Sequence, residues 1–382
     1  MLAHWRIIAL FFIHALAIGA VHTRVPDLQL MMGVSEAQLG LILMGQPAGG
    51  LPMFLFSSAI IERFGPRRVL MVMLPVVICT TALIPLVLNP VAMFALLAAN
   101  GVGFSLTNIA INVEADRVES ASGARIMNTC HGVWSIGFLV TALLGVLMRG
   151  SGVSPAWHLG LLAPVLIAAL ILVAAPMAAT PPRPHTAQST RRLALPTLAT
   201  LGLVAFGLGA GMTEGAARAW SIIYLRDSFD VAPWVQSLAL PALVAAMAVG
   251  RLLADRVLDR IETVRLARLL AGLAIAGLIA VGIAPNAGIG LIGFVMVGFG
   301  ICVLYPLMLS SAARLGDRPA SQNVAAVTLV FQLVNLGAPA LIGLVAQMFG
   351  VRFAFVMLIP LLVMTFVMAG QLRAKRAAGP SA

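Results

Sequence analysis

The sequence predicts an all-α membrane protein of twelve transmembrane helices in two pseudo-symmetric six-helix halves, with both termini cytoplasmic. Three observations carry that prediction. Of 382 residues, 61% are hydrophobic and only 10% charged, against about 25% charged in a soluble domain. Apolar runs of bilayer-spanning length, roughly 20 residues each, fill almost the whole chain and leave no room for a soluble catalytic domain. The basic residues are also strongly asymmetric about the twelve runs. Nineteen Lys/Arg fall on one side, four (Arg24, Arg149, Arg226, Arg352) fall on the other, and Arg218 lies within a run. Basic loops stay cytoplasmic, and a missed or extra helix would scramble the pattern.

Charges, Pro and Gly punctuate the runs in order. Span 1 (6–24) lies between Arg6 and Arg24, and span 2 (38–61) ends at Glu62-Arg63. Span 3 (69–88) follows Arg67-Arg68, and span 4 (91–113) stops at Glu114. Span 5 (126–148) sits between Arg125 and Arg149. Span 6 (157–178) ends before Pro181-Pro182. In the second half, span 7 (195–223) precedes Arg226-Asp227 and span 8 (234–254) precedes Asp255-Arg256. Span 9 (265–284) ends at Pro285, span 10 (288–311) before Arg314, span 11 (323–349) at Gly350 and span 12 (352–372) at Arg373. Ala15-Leu16-Ala17 has the look of a signal-peptidase site, but span 1 is needed for the even count.

The polar, Pro-rich stretch 179–193 (ATPPRPHTAQSTRRL) reads as a cytoplasmic linker. It divides the chain into halves at 1–178 and 194–382. The halves echo each other at a nearly constant offset of roughly 195 residues. Pro47 recurs as Pro241, Glu62-Arg63 as Asp255-Arg256, Gly101 and Gly103 as Gly298 and Gly300, and Ser135 and Gly137 as Asn335 and Gly337. Parallel duplication of a six-helix unit is a transporter architecture.

Other functions find little support. A net charge of +11 can signal nucleic-acid binding, but positive-inside loops account for it. Cys79, Cys130 and Cys302 lie alone in separate apolar runs, with neither metal-ligand spacing nor a disulfide pattern. There is no His-Glu-x-x-His, Gly-x-Ser-x-Gly or Gly-Lys-Ser/Thr loop. No enzyme, metal or cofactor is therefore expected.

The loop after span 2, Ser58-Ala-Ile-Ile-Glu62-Arg63-Phe-Gly65-Pro-Arg67-Arg68, resembles the Gly-x-x-x-Asp-Arg-x-Gly-Arg-Arg pattern of the major facilitator superfamily. Arg251-Leu-Leu-Ala-Asp255-Arg256 is its second-half echo. A narrower likeness, to a bacterial subgroup near the fucose permeases, rests on two stretches. One is Asn108-x3-Asn112-Val-Glu114 with Arg125-x-x-Asn128-x-x-His131-Gly132-x-Trp134-Ser135-x-Gly137. The other is Glu214-Gly215-x4-Trp220-x3-Tyr224-Leu225-Arg226-Asp227. The resemblance implies a secondary transporter of the bacterial inner membrane, acting as a monomer on a small solute, with protons as a candidate coupling ion. Span 5 contains no Pro, so the Gly-Pro signature of many drug/proton antiporters is missing. A sugar-like polar solute is thus favoured over export of amphipathic compounds.

A charge inside a membrane costs about 2.5–3.5 kcal/mol on insertion scales, which makes Glu214 and Arg218 the leading candidates. They lie one turn apart in span 7 and can pair, either as a solute or proton site or as a structural ion pair. His131 sits near Asn128 and Trp134 in span 5 and could contact a polar ligand or relay a proton. Glu114 ends span 4. Asn108, Asn112, Gln332 and Asn335 offer amides for hydroxyl groups, or polar glue between helices. Trp220 could stack on a sugar or belong to an interfacial aromatic belt. Glu62, Arg63, Arg67 and Arg68, with Asp255 and Arg256, read as gate residues that hold the inner face shut.

Overall fold

In a computed structural model, residues 2–177 and 195–373 are described; the expected linker lies outside them, as does the side chain of Asp255. Among the described residues every regular element is a helix. In the first half these are α1 (Leu2–His22), α2 (Val25–Met32), α3 (Glu36–Leu43), α4 (Gly45–Phe64), α5 (Pro66–Leu83), α6 (Pro90–Ser122), α7 (Met127–Gly150) and α8 (Pro155–Ala174). The second half contains α9 (Leu198–Ser228), α10 (Pro233–Ser237), α11 (Ala239–Leu258), α12 (Thr263–Ile283), α13 (Ala287–Ile301), α14 (Leu304–Ala313), α15 (Ala320–Phe349), α16 (Val351–Val356) and α17 (Ile359–Met368).

Eleven spans are straight enough to count directly. The twelfth comes from a broken pair, α2 followed by Glu36–Met53, bent by 119°. The sequence-based span 2 missed α2 and treated Val25–Met32 as connection. That segment carries Asp27 and Gln29 in a single short helix, too polar and too short to read as part of a span.

Local chemistry explains where helices begin. Asn89 accepts from the backbone N–H groups of Val91 and Ala92 at the head of α6, with Pro90 in the first turn. Ser154 and Pro155 do the same for α8, and Ser35 with Gln38 forms a capping box before α3. Large apolar side chains face outward along the spans; Leu172 is 75% exposed, and Leu252 and Ile283 are each 74% exposed. That surface is tolerable only in lipid.

The two halves repeat the same packing. α4 and α5 pack on α6, and α11 and α12 pack on α13. Glycine makes both contacts close. A Cβ on Gly101 would fall on the Gln46 carbonyl of α4, and one on Gly298 would meet the Leu243 carbonyl of α11. Gly103 faces Met73 and Val77 of α5; Gly300 faces Leu270 and Ala274 of α12. The glycine pairs read as echoes in the sequence thus occupy equivalent helix crossings, as small residues do where membrane helices approach closely. Each half has its own apolar core. The cores interleave through Val25 and Leu39, which pack in the second-half core, and Ile222, Leu240 and Val244, which pack in the first.

Gly101→Ala should therefore lower thermal stability in detergent by about 1–3 kcal/mol, the usual cost of overpacking. Gly160, whose Cβ would meet nothing within 4 Å, should accept alanine without loss. Equal melting temperatures for both variants would refute the close α4–α6 contact.

Candidate functional site

The halves are locked together at the end of the bundle opposite the basic loops. Asp27 of α2 is the centre of the lock. Its carboxylate takes Arg24 at 3.0 Å and Arg149, from the last turn of α7, at 3.0 Å. Arg24 also donates through Nε to His158 Nδ1 (2.9 Å) and to the Val153 carbonyl (2.9 Å). Arg149 crosses to the other half, donating to Ser237 Oγ (2.8 Å), the Pro233 carbonyl (3.3 Å) and Gln236 Oε1 (3.3 Å). Arg226 reaches back from α9 to Gln29 Oε1 (2.8 Å) and the Pro26 carbonyl (3.1 Å). Nearby, α3 lies against α15 with Gly40 under the Pro339 carbonyl and Gly343 under that of Glu36. The Ala37 backbone N–H donates to Gln347 Oε1 at 3.2 Å.

Arg24 and Arg149 are 2% and 8% exposed. The sequence reading counted them only as loop charges, and their role in closing the bundle went unseen. The available signal was the i, i+3 spacing of Arg24 and Asp27 on the side that carries only four basic residues.

At the basic end several bonds join elements of the same half. Arg67 donates to the Ala175 carbonyl (2.9 Å) and Arg6 to the Pro176 carbonyl (2.7 Å). Arg318 binds Asn323 and the Leu195 carbonyl. Glu62, Arg63, Arg68 and Arg256, expected as gate residues, are exposed here.

Between that end and the basic loops lies a charged cluster that joins the halves. Glu214 Oε1 accepts from Arg218 at 2.6 Å. Arg251 of α11 brings a second guanidinium to 4.0 Å from the same oxygen, while its Nε donates to the Cys302 carbonyl at 2.9 Å. From the first half, α7 supplies the facing wall. The Arg218 guanidinium lies 4.5 Å over the Phe138 ring and 5.9 Å over Trp134, within cation–π range. His131, one turn before Trp134 on the same helix, is exposed and sits in the field of Arg251. His22 is close enough to feel Arg218, and Tyr305 to feel Glu214. Arg218 Nε is buried without a protein acceptor. One carboxylate thus serves two guanidiniums, a donor-rich set on an aromatic floor.

The structure brings Glu214, Arg218, His131 and Trp134 together, and it adds Arg251, Phe138 and His22. Arg251 had been counted as an inside-loop charge; its place one turn before Asp255 on an otherwise apolar helix was the signal for it. Asn128 is exposed at the start of α7. Asn108 and Asn112 are half-buried on α6 and bonded to each other (3.1 Å). Gln332 and Asn335 are half-buried on α15, with Asn335 donating to the Phe331 carbonyl (2.9 Å). Glu114 is 1% exposed. Trp220 is corrected: it is 0% exposed inside the second-half core and presents no surface to a solute or to the interface.

The profile of the Major Facilitator Superfamily matches residues 7–338. The chain belongs to that superfamily. As a major facilitator protein it is a multi-pass membrane transporter. Among its relatives, an uncharacterised MFS-type transporter of Yersinia pestis is 28% identical over 358 residues, covering 90% of this chain and 89% of that one. The membrane protein MosC of Rhizobium meliloti is 29% identical over 363 residues, 91% and 85% of the two chains. Solved structures of the same fold include the nucleoside transporter NupG (TM-score 0.74, 16% identity, 98% of this chain and 100% of that one). Others are a bacterial homologue of the lysosomal transporter Spinster, inward-facing and occupied (0.72, 13%, 96% and 95%), and the E. coli fucose:proton symporter FucP (0.65, 16%, 97% and 98%).

Replacing Asp27 by Asn should cost roughly 3–5 kcal/mol, since it strands two buried guanidiniums beside each other. Adding Arg149→Gln should then cost less than its effect in the wild-type background, because it removes that repulsion. Strictly additive losses in melting temperature would contradict the shared-carboxylate geometry.

Proposed function

We propose that this major facilitator protein is a secondary transporter that carries a small, polar, sugar-like solute across the bacterial inner membrane by alternating access, with proton coupling through Glu214. One observation carries the reading: Glu214, Arg218 and Arg251 are clustered against Trp134 and Phe138, where α9 and α11 of one half face α7 of the other. A carboxylate flanked by guanidiniums supplies acceptors and donors for hydroxyl groups, and the rings supply a face for a sugar ring to lie on. His131 is placed to add a further polar contact. Such a cluster is costly in a membrane and is best explained by use.

With the basic loops read as the cytoplasmic side, the bonds at Asp27 tie the halves at the outer end, which supports an inward-facing reading. Rocking of the halves about the cluster would release that lock. Glu62, Arg63, Arg67 and Arg68 would then close the inner face with Asp255 and Arg256. A single chain carries both halves, so a monomer suffices. The fold shared with a nucleoside transporter and a fucose:proton symporter accords with a polar solute; at these identities the likeness speaks for the fold alone.

A thermal-shift screen of the purified protein with sugars and polyols against lipophilic cations tests the reading. A ligand present at a hundred times its Kd should stabilise by about 2.7 kcal/mol. Stabilisation by a sugar that is lost in Arg251→Gln, together with loss of proton-driven uptake in a Glu214→Gln variant that still inserts and purifies as folded protein, is the expected result. Stabilisation by lipophilic cations alone would make the protein an exporter of amphipathic compounds.

A further inference from the structure

At the basic end of the second half, where α12 begins and α17 ends, a cleft of about 440 Å3 opens on the surface. Its chemistry is graded along α12. Arg265 and Arg268 stand at its mouth with Arg373, while Leu269, Gly272 and Phe366 line the rest. From Arg265 to Gly272 the helix rises by about 10 Å, the distance from a phospholipid headgroup into the upper acyl chains. A Cβ on Gly272 would meet nothing within 4 Å, and Leu269 is 56% exposed. The apolar part of the cleft is therefore open toward the lipid-facing side of the bundle.

The charges at its mouth are in excess. Glu262 stands 3.9 Å from Arg373 and balances that one. Among the described residues neither Arg265 nor Arg268 has a carboxylate within ion-pair distance; Arg268 lies 5.8 Å over the Phe366 ring. Arg265 and Arg268 are both exposed.

We propose that this cleft binds one anionic phospholipid. The phosphate sits between Arg265 and Arg268, and an acyl chain runs along Leu269 and Phe366 over Gly272. Charge complementarity selects an anionic headgroup, because each arginine near an anionic leaflet contributes about a factor of five in binding. The apolar floor selects a lipid over a soluble anion.

Native mass spectrometry of the full chain, delipidated in a non-ionic detergent, tests this with phosphatidylglycerol against phosphatidylcholine. One phosphatidylglycerol should be retained in preference. Its retention should fall roughly thirtyfold in Arg265→Gln/Arg268→Gln and survive in the double lysine variant. Gly272→Leu fills the floor without touching charge, and it should weaken retention while the melting temperature in detergent holds. This second variant decides the matter if the double glutamine variant does not fold. Equal retention of the two lipids, or unchanged retention in Gly272→Leu, would overturn the proposal. So would a rise in melting temperature with inorganic phosphate equal to that with phosphatidylglycerol, which would mark a site for soluble anions.

Discussion

The closed end of the bundle depends on one carboxylate shared by two guanidiniums. Asp27 holds Arg24 and Arg149 at the same distance, in surroundings where an unpaired charge would be severely penalised. Each arginine is tied further by neutral acceptors: His158 and Val153 for Arg24, and Ser237, Gln236 and Pro233 for Arg149. Because the last three belong to the opposite half, the ion triad ties the two bodies together as well as stabilising one of them. The short α2, set at 119° to the helix that follows it, carries Asp27 there. A second tie between the halves is the close contact of α3 with α15 at Gly40 and Gly343.

Beyond that end, the cluster around Glu214 stands between the two halves. The cluster is itself unequal, one carboxylate against two guanidiniums, one of which keeps an unpartnered buried N–H. In the proposed function such a set would accept oxygen atoms from a solute, with its walls drawn from both halves. Helix α7 carries the aromatic floor in one body, while α9 and α11 carry the charges in the other. A relative movement of the halves must therefore change the site. That is how a binding free energy becomes a bias between conformations.

Much of this was legible in the sequence, and what was missed follows a pattern. Span count came from hydropathy and basic-loop asymmetry, which report directly on the bilayer as solvent. The duplicated glycines Gly101/Gly298 and Gly103/Gly300 could be paired because the need for close helix crossings leaves small residues at fixed offsets. Glu214, Arg218, His131 and Trp134 could be found because polar residues on apolar helices stand out. Arg251 stood in the chain beside Asp255-Arg256 and was absorbed into a loop motif, although its side chain turns back into α11's packing face. Asp27 and Arg149 are 122 residues apart, and nothing local in either segment indicates the other. Trp220 failed for the converse reason. Its neighbours Glu214 and Arg218 lie on a different face of the same helix, and a linear motif does not separate faces.

The central claim is that the Asp27 end is sealed while the Glu214 cluster is reached from the side of the basic loops. Labelling of a single cysteine tests it most directly. In a chain whose native Cys79, Cys130 and Cys302 are replaced by alanine, His131→Cys places a thiol in the cluster. A membrane-impermeant maleimide would then be applied to right-side-out and inside-out vesicles. The account predicts rapid modification from the cytoplasmic face and slow modification from outside, with Asp27→Asn speeding the outside reaction. Rapid labelling from outside in the chain with Asp27 intact, or none from the cytoplasmic face, would contradict it.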